Sequence, residues 1–166
     1  MLKSLLASLL VLGLSSSAAL AAGGGAKTTT EEPAAASDPW TAKWGDLGPD
    51  YAAAEALVKS EKFAEAITAL EALPKQDDPR IINYLAFSHR KLGATDKAIE
   101  LYTKALSIAP EFTLAREYLG EAYIQLKDLA KAKEQLAEIE KLCGNQDCEE
   151  YKDLAEDLKK AEGGAS

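Results

Sequence analysis

The chain has 166 residues, 47% hydrophobic and 28% charged, with 19 Lys and Arg against 27 Asp and Glu for a net charge of −8. That apolar content excludes a wholly unstructured chain, and the acidic balance argues against a nucleic-acid partner, because phosphate binding needs a basic face. One His (His89), two Cys (Cys143 and Cys148) and one Met leave few parts for chemistry, so no catalytic residue, metal site or cofactor is expected.

Residues 1–21 read as a secretory signal peptide. Lys3 supplies the positive start, Leu5 to Leu14 is an apolar run, and Ala19-Leu20-Ala21 has the small-x-small cleavage pattern. A periplasmic or secreted protein with no stable membrane span after cleavage is the expectation. The alternative is a retained anchor, since no charge falls between Lys3 and Lys27. No Cys stands at the cut, which removes lipid attachment. Residues 22–46, with Gly23-Gly24-Gly25, Thr28-Thr29-Thr30 and Pro33 to Pro39, carry too little apolar surface to repay ordering and read as a tether. Trp40 and Trp44 end it, and the spacing suggests a short segment that folds back on the domain or offers a contact to a partner, the plainer reading being two rings that cap the first hydrophobic helix.

From Tyr51 to Leu158 apolar residues recur at spacings of three and four with hardly any strand-like alternation. Seven helices are predicted, over about 49–59, 62–73, 79–92, 95–108, 111–126, 129–142 and 148–161. Asp78 before Pro79 has the make-up of an N-cap followed by a first-turn proline, Asp128 can cap likewise, and Asp147 with Glu150 has capping-box spacing. Such short connections force antiparallel neighbours.

The chain also repeats itself. Leu85-Ala86, Gly93, Ala98, Tyr102, Ala105 and Pro110 are followed at the same offsets by Leu119-Gly120, Lys127, Ala132, Leu136, Ile139 and Gly144, a period of 34 from Ala98 to Ala132. An earlier unit has Ala53-Ala54, Leu57, Phe63, Ala66 and Leu70, but Ala66 precedes Ala98 by 32, so two residues are missing near Leu73-Pro74 and the second helix there should end early. Ala54, Ala86 and Gly120, and Ala66, Ala98 and Ala132, belong where helices approach closely and bulk would push backbones apart. Period and residues resemble the tetratricopeptide repeat family. The resemblance implies an all-α solenoid over 47–161, with units at about 47–78, 79–112 and 113–146 and a capping helix at 147–161 before a disordered tail at 162–166. In that cap Tyr151, Leu154, Ala155 and Leu158 form the apolar stripe, while Glu149, Lys152, Asp153, Glu156, Lys159 and Lys160 cover the rest.

Cys143 and Cys148 bracket the connection into the cap. Two thiols in a chain with an export signal predict a disulfide, whose short loop contributes about 2 kcal/mol in the chain-entropy model. Thiol redox work is the alternative. Against it stand the C-x4-C spacing, the absence of a thioredoxin-like pattern and the acidic neighbours Asp147, Glu149 and Glu150. His89 takes the place of a repeat tyrosine, aligned with Leu57 and Tyr123, and reads as a packed side chain, since no partner for acid–base work accompanies it.

In the family, the first helices of successive repeats line a groove that receives a peptide or a partner's helix. Carried over by alignment, the candidate partner-binding residues are Tyr51 and Glu55, then Asn83, Tyr84, Phe87 and Arg90, then Glu117, Tyr118, Glu121 and Gln125. The competing reading packs Tyr84 and Phe87 between helices and leaves the others as a solvated face. The family's clamp for chaperone C-termini uses Lys, Asn and Arg where this chain has Tyr51, Glu55, Tyr84, Leu114 and Tyr118, so the clamp is absent. The resemblance implies a non-enzymatic protein-interaction module or assembly factor. A self-associating envelope scaffold, a homo-oligomer paired through the incomplete first unit, is the alternative.

Overall fold

In the computed structural model, which describes residues 39–163, every regular element among those residues is an α-helix. The order is α1 (Pro39–Trp44), α2 (Pro49–Lys59), α3 (Phe63–Glu71), α4 (Pro79–Lys91), α5 (Thr95–Ile108), α6 (Thr113–Gln125), α7 (Leu129–Cys143) and α8 (Glu149–Gly163). Helices α2 and α3, α4 and α5, and α6 and α7 form three consecutive pairs, and α8 packs on both helices of the last. This is the expected solenoid with a closing helix. No helix among the described residues is long and apolar enough to cross a membrane. The proposed signal peptide and most of the tether lie outside the described residues.

Each pair turns in the same way. The N–H groups of Lys62, Ala94 and Asp128 donate to the carbonyls of Leu57, His89 and Tyr123, each at 2.9 Å. The residue before each donor has a positive φ: 59° at Glu61, 85° at Gly93 and 61° at Lys127. Glycine adopts that conformation freely, whereas Glu61 and Lys127 hold it at a cost of about 1 kcal/mol each. The repeat is therefore a backbone repeat as much as a side-chain one.

The small residues sit where the period demands. Ala54, Ala66, Ala86, Ala98 and Ala132 are all fully buried. A Cβ added to Gly120 would stand 2.5 Å from Cδ2 of Leu154, so the absence of a side chain there lets α8 seat on α6. Successive interfaces carry their own apolar clusters: Leu70 and Ile81 between the first pair and α4, Tyr102 and Leu119 between the second pair and α6, Ile139 and Leu154 under α8. Such nearest-neighbour burial is what makes a repeat stack nearly one-dimensional in its energetics.

Local chemistry fixes the helix ends. Asp78 accepts from the Arg80 N–H at 2.9 Å and Asp128 from the Lys131 N–H at 3.2 Å, as their sequence positions predict. Helix α3 has 9 residues against 14 in α5 and 15 in α7, the early end that the two missing residues imply. The Gln76 side chain closes it by donating to the carbonyls of Leu70 at 2.9 Å and Leu73 at 2.6 Å.

Four details differ from the sequence reading. Pro39–Trp44 is helical, so the tether stops short of residue 46. Trp44 packs beside Ala109, Phe112 and Ala115 at the α5–α6 corner instead of capping α2, and Lys43 pairs with Glu111 there. Helix α8 starts at Glu149, with the Lys152 N–H donating to the Cys148 carbonyl, so Cys148 holds the cap position and Asp147 stands one residue outside it. Glu162 and Gly163, assigned to the tail, continue α8.

Candidate functional site

Helices α2, α4 and α6 contribute to one groove because their facing residues recur at the repeat spacing, and the ten candidate residues divide among three adjoining clefts along it. Tyr51, Glu55, Asn83, Tyr84, Glu117 and Tyr118 line a first cleft of about 380 Å³, joined by Arg80, Leu114 and Phe112 and by Glu149, Glu150 and Asp153 of α8. Tyr84, Phe87 and Tyr118 line a second of about 290 Å³ with Val58, Phe63 and Lys91. Arg90, Glu121 and Gln125 line a third, nearer the C-terminal ends of α4, α6 and α8, with Asp157 and Lys160.

A row of rings runs across the three first helices, with Phe63 of α3 beside it. Tyr51 and Tyr84 have centroids 6.0 Å apart, Phe63 and Phe87 6.0 Å, and Phe87 and Tyr118 4.8 Å. Tyr84 and Phe87 therefore both pack between helices and line the groove, which joins the two readings that the sequence set against each other. The Tyr84 hydroxyl donates to Oε1 of Glu55 at 2.8 Å. Burial above all pushes the hydroxyls of Tyr84 and Tyr118 well above the ordinary phenol range, so both stay neutral donors.

Three of the polar candidates are buried, contrary to a solvated face. Asn83 is 1% exposed, Arg90 4% and Glu117 6%. Arg90 pairs with Glu121 and lies over the rings of Phe87, at 5.2 Å, and Tyr118, at 5.7 Å, a desolvated cation held by π faces and one carboxylate. Burial, reinforced by Glu121, Asp153, Glu150 and Glu149, pushes the Glu117 carboxyl up to about 8. Burial likewise raises Glu121, against the pull of Arg90.

Sequence reasoning missed Arg80 and the acids of α8. Arg80 is 3% exposed and fully engaged: Nε and Nη2 donate to Asp78 at 3.0 and 2.8 Å, and Nη1 donates to the Gly45 carbonyl at 2.8 Å. Glu149 and Asp153, read as part of the cap's water-facing cover, border the first cleft, and Glu150 accepts from the Thr113 hydroxyl at 2.8 Å. The signal was present as i, i+4 acids on α8, but an amphipathic pattern marks the apolar stripe without saying which polar edge meets a neighbour.

Cys143 and Cys148 face each other across the α7–α8 connection with Cα atoms 6.3 Å apart. With Glu150 they place three potential ligand atoms within 4.8 Å of one another, short of the four-ligand set of a structural metal site. His89 is half-buried at the end of α4.

Comparison with known proteins agrees with this geometry. Two tetratricopeptide repeat models match, one over residues 51–111 and one over 89–158, together spanning more than half of the chain. Among curated proteins none matches by sequence. Solved structures with the same fold include MamA from Desulfovibrio magneticus RS-1, 25% identical over 60% of this chain and 57% of that one with a TM-score of 0.55. The chain thus spans little more than half the length of the MamA chain. The type III secretion translocator chaperone SycD from Yersinia enterocolitica is 22% identical over 70% of this chain and 92% of its own, with a TM-score of 0.60. The first repeat domain of Spaghetti (RPAP3), solved bound to the HSP90 peptide SRMEEVD, is 20% identical over 73% and 97%, with a TM-score of 0.60. Repeat period, buried small residues and family match converge: the chain belongs to the tetratricopeptide repeat family.

Proposed function

We propose that this protein is a non-enzymatic interaction module that receives an extended or helical segment of a partner protein along the α2–α4–α6 groove. The observation that carries the reading is the ring row of Tyr51, Tyr84, Phe87 and Tyr118 lining clefts on that face, since partly buried aromatics offer contact area at low entropic cost. The peptide-bound RPAP3 domain and the chaperone SycD supply the analogy of fold. We place the protein in the periplasm as an assembly factor, on the strength of residues 1–21, and propose that the facing Cys143 and Cys148 are joined as a disulfide there.

Crosslinked capture from a periplasmic fraction tests this directly. Wild type should retain a partner that Tyr84→Ala/Tyr118→Ala loses while its helical spectrum is unchanged; an identical set from both proteins would defeat the groove assignment. Self-association is the second reading. It draws on Leu92, 54% exposed, and Leu126, 48% exposed, which occupy matching turns one period apart. A mass by light scattering that rises with concentration in wild type, and not in Leu92→Gln/Leu126→Gln, would favour it.

A further inference from the structure

Resting on the groove reading above, we propose that the first cleft, where α4, α6 and the start of α8 meet, is a subsite for one Lys or Arg side chain of the bound segment, held by Glu117 and Asp153 around the Asn83 carboxamide. The independent pointer is Asn83. It lines the cleft, is 1% exposed, and its Oδ1 has no hydrogen-bond partner among the described residues. A buried acceptor left in that state costs about 1–3 kcal/mol, a penalty that a donor arriving with the ligand removes once the carboxamide turns to meet it, since Oδ1 has no accessible surface in the unbound cleft.

The charges around that acceptor define the donor. Among the described residues no cation is seated on Glu117, Glu149 or Asp153. Arg80, the basic side chain that lines the cleft, is committed to Asp78 and to the Gly45 carbonyl. The walls are the rings of Tyr51, Tyr84 and Tyr118, apolar surface along which an aliphatic stem can pack, while Arg80 already lies over Tyr51 at 6.0 Å and Arg90 over Tyr118 at 5.7 Å. A side chain fits better than a chain terminus, because Tyr84 and Tyr118 also line the adjoining cleft and the groove therefore continues past the subsite. An acidic or uncharged segment would leave Asp153 without a counter-ion, Glu117 in its protonated form and Asn83 Oδ1 without a donor, whereas a seated cation favours the Glu117 carboxylate.

The test uses the full-length chain and short capped peptides followed by amide chemical shifts. Ac-Gly-Ser-Lys-Ser-Gly-NH2 and its arginine version should move residues 83, 117 and 153, and should bind about tenfold tighter than the norleucine and citrulline versions. The gap should shrink at about 0.5 M salt, where the Debye length falls to a few ångströms. Asp153→Asn, an exposed position on α8, should weaken the basic peptides alone; Asn83→Ala should do the same if it folds. Equal binding of charged and neutral peptides overturns the proposal. So does occupancy of the site by the free-amine peptide Gly-Ser-Gly-Ser-Gly-NH2 in preference to the lysine peptide, which would assign it to a chain terminus. Basic peptides that fail while partner capture still depends on Tyr84 and Tyr118 would sink the subsite and spare the groove, whereas capture indifferent to those rings would sink the groove itself.

Discussion

The two ends of the stack are finished by different means. At the C-terminal end α8 lays Leu154 and Leu158, both buried, over α6 and α7, with Gly120 making room. At the N-terminal end no helix among the described residues covers α2, which turns Ala52, Ala53 and Ala56 to the surface and buries only Ala54 and Val58. A stack end presents apolar surface to water, and it is made tolerable either by a helix that covers it or by side chains too small to matter. The covered end concentrates stability in few contacts; the small-residue end spreads little over many.

That contrast predicts a ranking of substitutions. Leu154→Ala should cost about 2–5 kcal/mol in denaturant unfolding, while Ala53→Gln on the open end should stay within about 0.5 kcal/mol. Equal effects would erase the distinction between the ends. Gly120→Ala should cost about 1–3 kcal/mol by pushing α8 away, and the double variant with Leu154→Ala should lose less than the two single losses combined, since the clash and the cavity share one space.

Acidity should also act at the covered end. Glu117 on α6 faces Glu121 and Tyr118 of its own helix, Glu149, Glu150 and Asp153 of α8, and across the cleft Arg80 and Tyr84 of α4 with Tyr51 and Glu55 of α2. Its proton is kept in the folded chain and released on unfolding above pH 4.5 or so, because the folded value is about 8. Raising the pH from 5 to 9 therefore favours unfolding, with an expected loss on the order of 2 kcal/mol that Glu117→Gln removes. Wild-type stability that stays flat over this range, or a pH dependence that the glutamine variant keeps in full, would refute the assignment. Cys143→Ser/Cys148→Ser should cost no more than about 2 kcal/mol, felt as faster amide exchange in α8 and not in α2, if the sulfurs are joined. The smallest effect is a gain: Lys127→Gly should raise stability by about 0.5–1 kcal/mol, because glycine accepts the 61° φ without strain.

The solenoid could be read from the sequence because its determinants are local and periodic: small residues at fixed offsets, Asp78 and Asp128 at helix starts, and a turn position shared by Gly93 and Lys127. The site was less legible. Tyr51, Tyr84 and Tyr118 follow from the period, but the burial of Asn83, Arg90 and Glu117 does not, since polar residues on an amphipathic helix ordinarily face water. The α8 acids and the docking of Trp44 beside Phe112 depend on contacts between distant parts of the chain, which no local pattern encodes.

Trp44 also gives the molecule an optical gauge of its own. The chain has two indoles, so Trp40→Phe leaves a single fluorophore whose ring is half-buried at the α5–α6 corner, far along the sequence from the cap. Its emission reads the seating of the entering segment, while the far-ultraviolet signal reads the helices, and a red shift that precedes any loss of ellipticity would time the release of one from the integrity of the other.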